Sequence, residues 1–263
     1  MADSECDGVV VRGRCHEKEV LVDNLNWPFH PVMDYHTNLL YFTNTLIDGY
    51  VSCYLDLDTK ELDNITQVAN GFAQAVDQEG HQVYVGGTDG IYKYFHDNKT
   101  VERVADNEGY IMSMVYKDAL YYTVYPQFVV YTLKNGESAE AQQMDHDKEI
   151  LAIDKDNYQF FRNSSGLYGR TKESSDSDVY SKEIHLTAMT TDANGLPYLC
   201  GVDGFFFVNK HRKSLEKISD LNSCRGLVFD KDNNMIYFDL QQMIRLKLKV
   251  ENNLESNNEE NSD

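Results

Sequence analysis

Residues 70–104 carry the pattern that decides the fold. Asn70-Gly71-Phe72-Ala73-Gln74-Ala75-Val76-Asp77 leads to Val83-Tyr84-Val85, then to Gly90-Ile91-Tyr92-Lys93-Tyr94, then to Thr100-Val101-Glu102-Arg103-Val104. Short runs rich in valine, tyrosine and threonine, separated by glycine, asparagine and aspartate, predict strands joined by tight turns. The unit recurs on both sides. Val76-Asp77 has counterparts in Val32-Met33-Asp34, Ile153-Asp154, Thr191-Asp192 and Phe229-Asp230, and Val115-Tyr116-Lys117 holds lysine in the acid's place. These markers fall at 34, 77, 117, 154, 192 and 230, a spacing of 37–43 residues. An aromatic second strand follows each marker, as in Leu40-Tyr41-Phe42, Leu120-Tyr121-Tyr122, Tyr158-Gln159-Phe160, Tyr198-Leu199 and Ile236-Tyr237-Phe238. A third strand comes next, as in Val51-Ser52-Cys53-Tyr54, Phe128-Val129-Val130-Tyr131 and Gly204-Phe205-Phe206-Phe207.

Four strands per repeat of this length define a propeller blade, and six copies define six blades. The last copy lacks its fourth strand because the chain turns polar after Val250, and Glu19-Val20-Leu21-Val22 stands ready to supply it. The expected fold is therefore all-β, a six-bladed β-propeller closed by an N-terminal strand that completes the last blade. Closure removes the sheet edges that would otherwise invite aggregation. A two-sheet sandwich is the alternative, but it does not produce six evenly spaced copies. The expected organisation is a disulfide hairpin over 1–16, the propeller over 17–250 and a disordered acidic tail over 251–263, where Leu254 is the one apolar residue.

Composition narrows the function. The 263 residues carry a net charge of −19, so neither a phosphate backbone nor an anionic membrane surface is an expected partner. No apolar run is long enough to span a bilayer. Met1-Ala2-Asp3-Ser4-Glu5-Cys6 is not a signal peptide. The chain is either intracellular or a mature secreted protein with an added initiator methionine, and the cysteines favour secretion. Cys6 and Cys15 flank a glycine-turned hairpin that a disulfide would close. One cysteine stays unpaired among Cys53, Cys200 and Cys224. Blade positions put Cys200 and Cys224 on one face and make them the preferred second pair. Asn64, Asn98 and Asn163 begin triplets of the N-glycosylation type.

Motifs for hydrolytic, phosphate-binding and zinc chemistry are absent. Gly86-Gly87-Thr88-Asp89-Gly90 lies between two strands and reads as a hairpin turn. The repeat acids Asp34, Asp77, Asp154, Asp192 and Asp230 sit at the far ends of the first strands and are expected to cap turns. The opposite end is the functional face. It collects Trp27, Phe29, His30, Phe72, Tyr110, Tyr125, Arg162, His185 and Arg225 around the channel mouth, with Glu149 the lone acid near a first-strand start. A calcium-dependent lactonase would need several acids there. An aromatic and mildly basic lining instead suits a flat, anionic aromatic ligand, with rings to stack on and arginine or histidine to meet a carboxylate. No catalytic residue, metal or cofactor is expected, apart from a bound pigment chromophore, and the protein is expected to be a monomer.

Several stretches together carry a family resemblance. Cys6-Asp7-Gly8-Val9-Val10, Glu17-Lys18-Glu19-Val20-Leu21, Asn70 to Asp77, Gly87-Thr88-Asp89-Gly90-Ile91-Tyr92-Lys93-Tyr94 and Ser165-Gly166-Leu167-Tyr168-Gly169 closely resemble the ommochrome-binding proteins of insect haemolymph. The resemblance runs in order from about Cys6 to Val250. It implies a secreted carrier of ommochromes, phenoxazinone pigments such as xanthommatin that are made from tryptophan through 3-hydroxykynurenine. Those ligands are flat, aromatic and acidic, as the lining requires. The resemblance brings no ligand-contact motif with it, so the site residues rest on the lining alone. The acidic tail has no counterpart in it.

Overall fold

The computed structural model describes residues 6–141, 148–182 and 186–249. The strands β1 (Val9–Val11) and β2 (Arg14–Val22) come first. Blade 1 is β3 (Phe29–Asp34), β4 (Leu39–Leu46), β5 (Gly49–Asp56) and β6 (Leu62–Ile65). Blade 2 is β7 (Ala73–Asp77), β8 (Gln82–Gly86), β9 (Gly90–Phe95) and β10 (Thr100–Asp106). Blade 3 is β11 (Tyr110–Tyr116), β12 (Leu120–Tyr125), β13 (Val129–Lys134) and β14 (Glu137–Glu140). Blade 4 is β15 (Glu149–Ile153), β16 (Tyr158–Asn163), β17 (Gly166–Thr171) and β18 (Asp178–Ser181). Blade 5 is β19 (Leu186–Thr191), β20 (Pro197–Gly201), β21 (Gly204–Asn209) and β22 (Ser214–Ser219). Blade 6 is β23 (Gly226–Phe229), β24 (Met235–Phe238) and β25 (Met243–Leu248), with β2 as its fourth strand and β1 as a fifth.

Period-two alternation explains why the blades pack face to face. On β4, Leu40 and Phe42 point into the cluster shared with blade 6, where Phe42 meets Phe238 edge-on at 5.4 Å. Leu39 and Tyr41 point the other way, into the cluster shared with blade 2. Successive side chains of a strand face opposite sides of its sheet, so a middle strand buried on both faces must be apolar throughout. The same division gives one apolar cluster between each pair of neighbouring blades. The repeat acids do cap turns. Asp154 Oδ1 accepts from the Asp156 and Tyr158 amides at 2.8 and 3.0 Å, Asp192 Oδ1 from Asn194 and Leu196 at 2.9 and 2.8 Å, and Asp230 Oδ1 from Asp232 and Asn234 at 3.0 and 2.8 Å. Asp34 and Asp77 hold the equivalent turns of blades 1 and 2. Their conformational role is the physical reason for the recurring acid.

The ring closes as the sequence predicts. β2 pairs antiparallel with β25, with Val20 opposite Ile244, Val22 opposite Met243 and His16 opposite Leu248. Arg245 sits at the seam. Its Nε donates to Glu19 at 2.7 Å and its Nη1 to Asp230 at 3.2 Å, while Lys247 reaches Glu19 at 3.1 Å. The boundary drawn between residues 16 and 17 falls inside β2, which runs without a break from the hairpin into the blade. Arg12 ties that hairpin to blade 5 as well, its amide donating to Ile218 at 2.7 Å and its guanidinium lying 5.2 Å from the Phe207 ring. Disulfides join Cys6 to Cys15 and Cys200 to Cys224. Cys53 is free and buried, and burial pushes its thiol up to about 12. The tail over 251–263 lies outside the described residues.

Two outcomes test the closure. The Arg245 hydrogen bond, against the cost of burial and with Lys247 in support, holds the Glu19 carboxyl at about 2, below its ordinary 4.5. A depressed carboxyl stabilises the fold fully above its unfolded value and loses that contribution as the pH falls through the folded one. Glu19→Gln should therefore cost about 1 kcal/mol near neutral pH, a figure kept low because Glu19 is partly exposed. In Tm measurements the gap between Glu19→Gln and wild type should narrow as the pH falls from 4.5 toward 2; a gap that widens would contradict the ion network. Replacing Cys6 and Cys15 by serine, which opens a link of sequence separation 9, should lower unfolding stability by about 2.5 kcal/mol in denaturant titration.

Candidate functional site at the channel mouth

The inner strands β3, β7, β11, β15, β19 and β23 neighbour one another around the axis and enclose the channel. Four of them carry a register irregularity near their mouth end, at Phe29/Val32, Ile111/Ser113, Ile150/Ala152 and Leu186/Ala188. A bulge turns the local side chains out of strict alternation, so inner-strand residues that alternation would send into a blade interface face the axis instead. In β3 the irregularity spans His30 and Pro31. His30 has φ 50°, rare for a bulky residue, and Pro31 has no amide to leave unpaired. Gly226 is required opposite, because a Cβ there would stand 2.8 Å from Pro31 Cδ.

The axial cavity holds about 230 Å³ and is lined at its mouth end by His30, Gln74, Ser113, Glu149, Arg162 and Arg225. Glu149 is the one carboxylate lining it among the described residues, and its buried side chain is already engaged by Arg162 Nε at 2.7 Å. Arg162 Nη1 also donates to the Leu186 carbonyl at 3.2 Å, bridging blades 4 and 5. Burial holds the His30 imidazole below its ordinary value, against the pull of the Phe72 carbonyl and Glu149. The neutral ring uses Nδ1–H to reach that carbonyl at 3.0 Å, which leaves Nε2 as an acceptor. Gln74 donates to Thr43 Oγ1 at 2.9 Å and to Ser52 Oγ at 2.7 Å. Thr43 and Thr123 hold equivalent places. Thr43 Oγ1 donates to the Phe72 carbonyl at 2.6 Å, and Thr123 Oγ1 accepts from the Ile150 amide at 3.1 Å, so each links a blade to the next.

The predicted site residues separate into groups. His30, Arg162 and Arg225 do share the axial cavity. Trp27 does not line that cavity; it stands at φ 46°, 53% exposed, and reaches the site through Arg225, whose guanidinium lies 5.0 Å over its ring. Its loop is pinned on both sides: the Trp27 amide donates to Leu240 at 2.9 Å, and Thr45 Oγ1 donates to the Trp27 carbonyl at 3.1 Å. Phe29 and Phe72 are half-buried and packed against other rings. They meet each other at 5.0 Å and form a half-buried cluster with His30 and Tyr50, the Tyr50 ring standing edge-on to Phe72 at 4.6 Å. They pack between blades 1 and 2, and neither lines the axial cavity. Tyr110 and Tyr125 stand opposite each other in blade 3, both exposed, and neither lines the axial cavity. His185 lies outside the described residues. Sequence reading missed Tyr50, Gln74 and Ser113. Tyr50 carried a signal, since it follows Gly49 at the start of β5 on the functional face; Gln74 sits in the regular inner strand β7, and Ser113 follows the register irregularity of β11.

A second cleft of about 620 Å³ opens beside the channel between blades 5 and 6, and Thr187 and Arg225 line both spaces. Cys224 of the Cys200–Cys224 disulfide lines it, on the functional face as the blade positions require.

The fold and site together define a six-bladed propeller with a ligand-sized mouth. Solved structures of the same architecture include a gluconolactonase of Xanthomonas campestris, with TM-score 0.73 and 13% identity over 93% of this chain and 96% of that one. Another is regucalcin, a calcium-binding protein of Agrobacterium tumefaciens, with TM-score 0.65 and 10% identity over 89% of this chain and 96% of that one. No family profile matches the chain. The ommochrome-binding protein of Manduca sexta is 30% identical over 256 residues, covering 94% of this chain and 92% of that protein. This chain belongs to the ommochrome-binding protein family.

The calcium implied by one structural neighbour does not fit this mouth. A calcium ion takes six to eight oxygen ligands, usually including several carboxylates. Here the one axial carboxylate is neutralised by a guanidinium, and no three His, Cys, Asp or Glu side chains converge among the described residues. Removing the pair's acid tests its structural weight. Glu149→Gln leaves Arg162 without its charged partner and should destabilise the fold by about 1–2 kcal/mol in urea titration, the lower part of the range for a broken pair because Arg162 is partly exposed. An unchanged midpoint would contradict a structural role for the pair.

Proposed function

We propose that this protein is a secreted carrier that binds an ommochrome such as xanthommatin, or a related tryptophan metabolite such as 3-hydroxykynurenine, at the propeller mouth without turning it over. The observation that carries the reading is family membership with a binding protein, joined to a mouth that offers an exposed indole beside a guanidinium with no carboxylate partner among the described residues. The protein acts as a monomer and needs no metal and no cofactor beyond the pigment. Two disulfides accord with an oxidising compartment. The net charge of −19 repels an anion at long range, but physiological salt screens that beyond about 8 Å. The competing reading, a calcium-dependent lactonase, rests on fold, and fold does not carry function. The axial donor set weighs against it.

Titration of xanthommatin or 3-hydroxykynurenine against the fluorescence of Trp27, the single tryptophan, should show saturable quenching. Arg225→Ala should weaken binding about 10-fold, the low end for a charge-assisted hydrogen bond because Arg225 is exposed until ligand covers it. Trp27→Ala, followed by calorimetry, should weaken it comparably. Absence of quenching by every phenoxazinone, or unchanged affinity in both variants, refutes the site. Stoichiometric calcium accompanied by lactone hydrolysis would establish the competing reading.

A further inference from the structure

The cleft between blades 5 and 6 holds two opposite charges that stand side by side and do not meet. Gly226 pairs with Phe238 at the mouth end of β23 and β24, and the Arg225 amide also donates to the Phe238 carbonyl at 2.7 Å. Arg225 and Asp239 therefore leave this strand pair at the same end, and both line the cleft. Neighbouring cross-strand positions of opposite charge ordinarily form an ion pair. Here the Arg225 guanidinium lies over the Trp27 ring instead, and no ion pair joins it to Asp239 among the described residues. Asp239 uses Oδ1 to accept the Gln241 and Gln242 amides at 2.8 and 2.7 Å, which fixes the carboxylate in the turn, and Oδ2 makes no hydrogen bond among the described residues. Asn222 and Ser223 add neutral polar groups, and Leu240 an apolar edge.

We infer that this cleft is a subsite for a free α-amino acid group, with Arg225 meeting the carboxylate and Asp239 the ammonium. A separated pair of fixed charges complements a zwitterion, whereas a simple carboxylate uses the cation and is repelled by the acid. The inference rests on the carrier reading and sharpens it: the ligand stacks its ring system at the Trp27 side and lays an amino acid side chain into the cleft. Arg225 borders both the channel and the cleft and so fixes where the ring system ends and the side chain begins.

Calorimetry with 3-hydroxykynurenine, its N-acetyl derivative and the amine that lacks its carboxyl tests this directly. The free amino acid should bind at least 10-fold more tightly than either analogue. Asp239→Asn keeps the Oδ1 acceptor of the turn. It should weaken the free amino acid by about 10-fold and, by removing the acid that repels a bare carboxylate, leave the N-acetyl derivative bound no more weakly than before, and Arg225→Gln should abolish the preference over the amine. Matching circular dichroism and Tm certify the fold of each variant. An N-acetyl derivative that binds as tightly as the free amino acid overturns the subsite and leaves the carrier reading intact. Failure of the amino acid and of xanthommatin to bind at all overturns both.

Discussion

The pairing of β2 with β25 is the constraint on which the rest depends. A propeller without it would end in an open three-stranded blade and an unpaired edge next to blade 1. The register that places Val20 against Ile244 also sets where the chain leaves the sheet, and the next residues, 23–28, cross the seam between the last blade and the first. Trp27 is hydrogen-bonded to both of those blades. Closing the ring and building the mouth are thus one event, and Arg225, at the start of β23 in the same closed sheet, comes to lie over the indole as a consequence.

Charge is distributed along the axis rather than spread evenly. The repeat acids are spent on turns at one end of the blades, where backbone amides satisfy them. At the other end the axial cavity is lined, among the described residues, by two arginines, a half-buried neutral histidine and one carboxylate. A strongly acidic protein therefore presents an axial cavity where, among the described residues, arginines outnumber carboxylates. Over the few ångströms of a binding contact the local groups outweigh the net charge, because distant charges are screened and the near ones act across a partly dry cavity.

Propellers of one backbone differ in what lines the axis. The structural neighbours match this chain at 10–13% identity, which reflects shared blade packing, whereas the ommochrome-binding relative matches at 30% over nearly the whole length. Here a Glu149–Arg162 pair offers a hard cation little, while the middle strands keep the apolar faces that build the blades. The architecture tolerates this because each blade is stabilised by its neighbours rather than by the axis.

The number of blades, the closing strand, the role of the recurring aspartates and the Cys6–Cys15 link were all legible in the chain. Each rests on local chemistry or on period-two alternation repeated six times, and repetition averages out the ambiguity of any one strand. The preferred second disulfide also followed from blade positions alone. The mouth was legible only in outline. Arg162 could be named, but not its engagement by Glu149 from the neighbouring inner strand; Phe29 and Phe72 could be named, but not that Tyr50 and His30 would pack against them. Gln74 and Ser113 reached the axis unannounced. Those outcomes depend on exact strand register, which sets Glu149 opposite Arg162 and carries an irregularity at Ser113, and on ring contacts between blades 1 and 2. Sequence alone determined the ring; the meeting of strands at its centre decided which side chains face the channel.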